Sequence, residues 1–243
     1  MIYGVVFGIF NMISFIYSNN KLQHKYYCEL SKSKDKWKIS PEIIHSLNDK
    51  SSWFPLNHNY RGNYTKLQKK HYLMSQIMLG ILSGAALETY LNGYTKLHLN
   101  HTKLIYLPID VLVSLLINNC LYYYYHRAAH HPLFYKYIHS YHHAELYPKP
   151  FDSLIGHPID HTFSAIWQTI PMFIYPMHLI SFLSYSSFVS LMGIWDHSGI
   201  KFEYLKYRSI DHHIHHRYPS KNFSTGLPFL LLDVLHGTQQ YHI

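Results

Sequence analysis

Three short runs of histidine carry most of the chemistry open to this chain. They are His126-Arg-Ala-Ala-His130-His131, His139-Ser-Tyr-His142-His143 and His212-His213-Ile-His215-His216. Fourteen of the 22 histidines fall between His126 and His216. Neutral imidazole is the commonest metal ligand, and residues three or four apart share one face of a helix. The spacing therefore predicts His126 with His130, His139 with His142 and His143, and His212 with His215 and His216, each set on one side of a helix. Eight imidazoles are too many for one tetrahedral site and fit two metal ions with open positions. Imidazole suits zinc, copper, iron and nickel alike. Hydrolytic zinc sites use three protein ligands and a general base. A set this large suits a redox pair that keeps positions free for dioxygen. Carboxylate di-iron sites of the ferritin type are Glu-rich, whereas this set is nearly all imidazole. His24, His45, His58, His98, His101 and His242 stand apart and read as surface or interfacial side chains.

The rest of the chain must position those runs. At 243 residues it is one domain, or one domain with an extension. It is 48% hydrophobic and only 14% charged, against about 25% charged in ordinary soluble domains. The mean hydropathy of −0.13 is pulled down by the histidines and 24 tyrosines, so local pattern carries more weight than the average. Net charge is +8, and residues 18–71 hold eleven Lys/Arg against Glu29, Asp35, Glu42 and Asp49. No DNA-reading motif accompanies that basic excess, so nucleic acid is not an expected partner. A cytosolic segment facing anionic lipid fits better. Two cysteines, Cys28 and Cys120, imply neither a disulfide framework nor a thiolate metal site.

Four apolar stretches organise the chain: residues 1–17, 72–91, 104–125 and 163–192. The first lacks a basic start and reads as an uncleaved anchor. The second and third approach the roughly 20 residues that span a bilayer. Pro171 and Pro176 break the fourth. Tyr122–Tyr125 resembles an interfacial aromatic belt. By the positive-inside rule the basic segment 18–71 is cytosolic. Helix 72–91 then leaves that face, the link 92–103 turns, and helix 104–125 returns and delivers His126. For the third run to reach the same face, 163–192 must leave and re-enter on one side, as a Pro-broken hairpin. The expected architecture is an all-α integral membrane bundle, multi-pass, with a cytosol-facing histidine-rich metal-binding cap. Residues 1–71 form the anchor and basic segment, and 72–243 the catalytic domain.

The histidine runs and their flanks together resemble the fatty acid hydroxylase / sterol desaturase superfamily. Tyr125-His126-Arg127 opens the first run as in that family. His157-Pro158-Ile159-Asp160 resembles its His-Pro-x-Glu element, and Asp196-His197-Ser198-Gly199 the His-Ser-Gly element of sterol methyl oxidase-like members. Asn222-Phe223, Asp233 and Gly237-Thr238 resemble its Asn-Tyr-Gly…Trp-Asp…Gly-Thr tail. The likeness covers residues 104–240. Departures are His213 in place of Asp, Asp160 in place of Glu, and Ser224 in place of Gly.

The resemblance implies an oxidoreductase with two iron ions, or zinc on overexpression, that hydroxylates or desaturates a sterol or fatty-acyl C–H bond with O2. It implies His126, His130, His139, His142, His143, His157, His197, His212, His215 and His216 as metal ligands. Asp196, Asp211 and Glu145 are candidates to orient those imidazoles. His131, His161 and His213 are left open as further ligands. The implied partners are a membrane lipid, O2 and a separate b-type cytochrome or reductase. In a eukaryotic host the implied membrane is of the endoplasmic reticulum type. Two other readings stand beside it: an acyl-CoA desaturase-like enzyme, disfavoured because only three residues lie between His126 and His130, and a non-enzymatic histidine-rich metal-binding membrane protein.

Overall fold

The computed structural model describes residues 65–100, 103–144, 148, 150–197, 200–201, 209–224 and 231–239, together with the strand backbone of Lys38–Ile39. The expected anchor over 1–17, nearly all of the basic segment 18–71, and Glu145 lie outside the described residues.

The fold is helical. Helix α1, Lys66–Leu91, starts at a capping box: Thr65 Oγ1 accepts from Gln68 N at 3.1 Å and Gln68 Oε1 accepts from Thr65 N at 2.9 Å. These bonds satisfy two backbone donors that a helix start leaves open, which is why α1 begins ahead of the apolar run at 72. It ends at Asn92, followed by Gly93 at φ 73°. Helix α2, Tyr106–Ala129, ends at the first histidine run. A short helix α3, Pro132–Tyr135, and a 3-10 turn, His139–Ala144, carry the second run. After a second 3-10 turn, Pro150–Leu154, come α4, Pro158–Thr169, and α5, Pro171–Ile174. Helix α6, Leu179–Asp196, leads to α7, Ser209–Arg217, which bears the third run, and then α8, Leu231–Leu235. Strands are two-residue pieces: β1, Lys38–Ile39, pairs antiparallel with β4, Ile200–Lys201, and β2, Leu97–His98, pairs in parallel with β3, Met177–His178.

Prolines break the fourth apolar run where a hairpin needs them. Pro171 separates α4 from α5, and Pro176 precedes β3. The chain then turns back along itself, with Gln168 Nε2 donating to Ser186 O at 2.9 Å and Tyr185 OH to Gln168 O at 3.1 Å. The tip of this hairpin meets the 92–103 link: Lys96 N donates to Met172 O at 2.8 Å. Asp110 of α2 pins the tip from inside. Its buried carboxylate accepts from Tyr175 OH at 3.2 Å, His178 N at 3.3 Å and Ser181 Oγ at 3.0 Å. A buried carboxylate needs such partners, and they fix β3 and the start of α6 against α2.

Helices α2 and α6 are long and apolar enough to cross a membrane, and only 22% and 17% of their most apolar stretches are buried. Core helices of a soluble domain bury such faces. Here Ile109, Leu112 and Leu116 of α2 and Ile180, Leu183 and Leu191 of α6 point outward. Helix α1 has the length but is diluted by polar residues such as Gln76 and Ser83 on its inner side. The tyrosine block is not an interfacial belt. Tyr123 is fully buried against Thr238 at 3.0 Å, Tyr125 bonds Asp160, and only Tyr124 of the four is exposed. These tyrosines carry hydroxyls that find partners inside the cap, and that outweighs the pull of an interface.

Candidate metal centre

Among the described residues, nine histidines converge in two groups. His126, His130, His139, His143 and His215 form one, and His142, His197, His212 and His216 the other. Within each group the ligand nitrogens lie within 4.8 Å of one another. The groups adjoin, with the His143 and His216 rings 4.4 Å apart and stacked. The expectation that each run serves from one helix side is corrected for the second, and the second and third are both divided between the groups. His139 and His143 turn to the first group but His142 to the second; His212 and His216 turn to the second but His215 to the first. The second run forms a tight 3-10 turn rather than an α-helix, and the third is a helix wedged between the two groups. The second and third runs therefore each supply both groups, whereas the first serves only one.

The ring nitrogens are poised in one sense. His126 Nδ1 lies 2.7 Å from Phe223 O, His142 Nδ1 3.1 Å from Ile155 O, His197 Nδ1 2.7 Å from Gly193 O and His215 Nδ1 2.6 Å from Lys221 O. A carbonyl only accepts, so each Nδ1 carries the proton and each neutral ring leaves a bare lone pair on Nε2. His139 Nδ1 likewise donates to Asp160 Oδ2 at 2.7 Å. Yet His126 Nε2 sits 3.1 Å from His139 Nε2, and His142 Nε2 sits 3.2 Å from His197 Nε2. Two lone pairs at that distance repel unless a cation lies between them. Metal–nitrogen bonds of about 2.0–2.1 Å place neighbouring ligand nitrogens roughly 2.9–3.4 Å apart. The other close pairs, His143–His139 at 3.1 Å, His130–His215 at 3.1 Å, His212–His197 at 3.2 Å and His216–His212 at 3.2 Å, match that spacing. The donor set fits two metal ions.

Burial keeps these rings neutral. It is the largest cause holding His142 down to about 4, and it holds His143, His197, His212, His215 and His216 well below the usual histidine range, with neighbouring imidazoles adding to it. Asp160 goes the other way. Its own burial, the largest cause, raises it, but the adjoining His139 and its hydrogen bonds outweigh that and keep it ionised. For the imidazoles the sign follows directly. Unfolded histidine binds protons near pH 6.5, the folded ones do not, so acid favours the unfolded chain. The metal-free protein is expected to lose stability as pH falls from 7 toward 5, by up to about 1.4 kcal/mol per pH unit for each such group. Thermal unfolding in detergent at several pH values measures this; a midpoint unchanged across that range would refute it.

Backbone carbonyls at the site are themselves held. The buried Asp233 carboxylate accepts from Phe223 N at 2.9 Å, Ser224 N at 2.8 Å and Thr238 Oγ1 at 2.6 Å. Asn222, at φ 53°, donates from Nδ2 to Asp211 O at 3.1 Å, and its N–H reaches Thr238 O at 2.9 Å. This clamp aims Phe223 O at His126 and Lys221 O at His215. Asp160, accepting from Tyr125 as well, orients His139. In the sequence Asp160, Asp233 and Asn222 stand only as parts of a pattern, with nothing local to mark this task. A carboxylate in the first turn of a helix reads equally as a dipole partner.

The remaining predicted residues divide. His157 lies in neither group; its Nδ1 faces Ile159 N at 3.3 Å, capping α4, and its ring meets His71 at 4.8 Å. His131 caps α3 in the same way. His213 is buried in α7 but in neither group. His161 lines the cavity next to Gly156, where a Cβ would come within 2.7 Å of its Nε2. Asp196 and Asp211 are buried directly before His197 and His212.

A cavity of about 760 Å³ runs up from the histidines between α1, α2, α4 and α6. His139, His142, His197 and His212 line one end, and Tyr90 and Leu97 the other. Apolar side chains such as Leu79, Leu115, Phe182 and Val189 form much of its wall.

The comparisons agree with this geometry. A human lathosterol oxidase is 30% identical over 141 residues, covering 56% of this chain and 47% of that protein. A Delta(7)-sterol 5(6)-desaturase of Candida glabrata is 32% identical over 157 residues, covering 61% and 42%. The human fatty acid hydroxylase domain-containing protein 2 is 33% identical over 135 residues, covering 54% and 38%. The chain thus spans less than half the length of these curated relatives. No solved structure matches. The family model for fatty acid hydroxylase matches residues 111–238, a span that holds both histidine groups, the Asp233 clamp and most of the cavity wall, so the chain belongs to the fatty acid hydroxylase family.

Proposed function

We propose that this chain is a multi-pass membrane oxygenase that holds two iron ions in its two histidine groups. Bound there, the irons would supply the activation of O2 that hydroxylates or desaturates a lipid C–H bond, with two electrons from a separate b-type cytochrome or reductase. The observation that carries the reading is the set of Nε2 lone pairs facing one another at 3.1–3.2 Å, each fixed by a proton on Nδ1. The residues do the rest. The carbonyls of Phe223, Ile155, Gly193 and Lys221 hold the imidazoles in one tautomer. Asp160 keeps His139 oriented and balances part of the charge. The apolar cavity takes a lipid from the bilayer and keeps water away from the reacting carbon. The sterol-acting relatives make a sterol or fatty-acyl lipid the proposed substrate. A protein that only stored metal would have no use for a cavity of about 760 Å³ opening on the ligands.

Anaerobically reconstituted protein is expected to contain two irons per chain, or two zincs after overexpression. It should form hydroxylated or desaturated lipid, seen by mass spectrometry, only with O2 and an electron donor. One metal or none, or product without O2, would overturn the proposal.

The proposed topology places 126–162 and 193–243 on the cytosolic face and 92–103 opposite, with 1–71 as anchor and basic segment and 72–243 as the catalytic unit. In a background with Cys28 and Cys120 replaced by serine, Asn100→Cys and Ser220→Cys are the probes, both at exposed positions. Membrane-impermeant thiol labelling from the cytosolic side is expected to modify Ser220→Cys and spare Asn100→Cys. Labelling of both from one face would refute the arrangement.

A further inference from the structure

Gln76, on the inner side of α1, lines the cavity and is completely buried, 0% exposed. Neither its Nε2 nor its Oε1 has a hydrogen-bond partner among the described residues. Three other polar side chains on the same wall are already engaged. Ser83 Oγ donates to Leu79 O at 2.9 Å, Ser164 Oγ to Asp160 O at 3.0 Å, and Gln168 Nε2 to Ser186 O at 2.9 Å. Buried polar groups are nearly always bonded, and leaving a buried amide bare is costly. An apolar residue would fill this position of α1 at no such cost. A bare amide here is suited to a partner that enters the cavity.

We propose that Gln76 is a specificity-determining residue that hydrogen-bonds an uncharged hydroxyl of the lipid, so that the chain selects a lipid alcohol over a plain hydrocarbon. The proposal rests on reading the cavity as the lipid site. An amide can both donate and accept, and a hydroxyl complements it in either sense. A carboxylate or phosphate group does not fit, because none of the described residues lining the cavity is Lys or Arg and a buried unpaired charge is prohibitively costly. The position also sets orientation. His71, on the same helix, packs against Tyr141, the neighbour of His142, at 4.7 Å. Gln76 lies five residues further on, a rise of about 7–8 Å. The hydroxyl therefore docks toward the histidine end of the cavity, and the carbon attacked is close to it in the molecule. The far end, by Tyr90 and Leu97, receives the apolar remainder.

Binding separates this from turnover. Detergent-purified full-length protein is titrated with cholestanol, a rigid 3-hydroxysterol, and with cholestane, the same skeleton without the hydroxyl. Wild type is expected to bind cholestanol about tenfold or more tightly than cholestane, the size of one buried hydrogen bond. Gln76→Leu is expected to bring the two within about threefold by weakening cholestanol, with cholestane affinity retained as the control for folding. Gln76→Asn, which withdraws the amide by one carbon, should behave as Gln76→Leu does. Equal binding of both sterols by wild type, no binding of either, or undiminished preference in both variants would overturn the proposal. Selective binding of cholestanol without O2-dependent product would instead sink the oxygenase reading and leave Gln76's role standing.

Discussion

Alanine at His139 or at His212 is expected to remove one metal ion per chain, and the double variant both. Each residue is the hub of its group. His139 Nε2 lies 3.1 Å from both His126 Nε2 and His143 Nε2, and His212 Nε2 lies 3.2 Å from both His197 Nε2 and His216 Nε2. Either single substitution should drop lipid turnover by more than the about 10–100-fold that loss of a supporting partner costs a metal site. His98→Ala, in the β2–β3 pairing at the opposite end of the bundle, should leave both metal content and turnover unchanged. Elemental analysis of the four proteins gives the count directly. Full metal content in either hub variant would refute the assignment of two groups.

The second large effect is expected from a residue that touches no ligand ring. Asp233→Ala removes the acceptor of Phe223 N, Ser224 N and Thr238 Oγ1. Two backbone donors are then buried without partners, a cost on the order of 3 kcal/mol. Phe223 O is freed from its aim at His126 Nδ1, so metal affinity at the first group should fall by about 10–100-fold. Chelator competition reads the affinity and thermal unfolding reads the stability. Asp233→Asn keeps one acceptor but turns an NH2 toward a backbone N–H, and should lie between. If Asp233→Ala lost stability alone, with metal affinity intact, the clamp would be purely structural.

The histidine runs were legible because residue type and spacing together are rare by accident, and the flanking His197 because it sits in a recognisable short pattern. What the spacing hid was the distribution between groups. A periodicity argument assumes one helix type, and the second run is a 3-10 turn whose side chains diverge. His157 shares the residue type of a ligand but stands at the start of α4, where a side-chain acceptor on the backbone is the local preference. Asp160 and Asp233 act through contacts with residues 21 and 10 positions away, and no local pattern encodes such reach. The hairpin over 163–192 was readable from Pro171 and Pro176, because a ring at those positions cannot continue a helix. The tyrosine block misled because its hydroxyls have partners in the folded cap, which composition does not reveal.

The interleaving of the groups also sets the order of events during synthesis. His215 belongs to one group and His212 and His216 to the other, so the ribosome must deliver α7 before either group is complete. A nascent chain ending before it holds at most four imidazoles of one set and two of the other, with His142 and His197 waiting for partners that do not yet exist. Metal acquisition is thereby deferred until the chain has emerged. Because one nine-residue helix then completes both groups, the two sites become ready together and half-loaded wild-type protein should be scarce, whereas loss of one hub histidine leaves the other group complete.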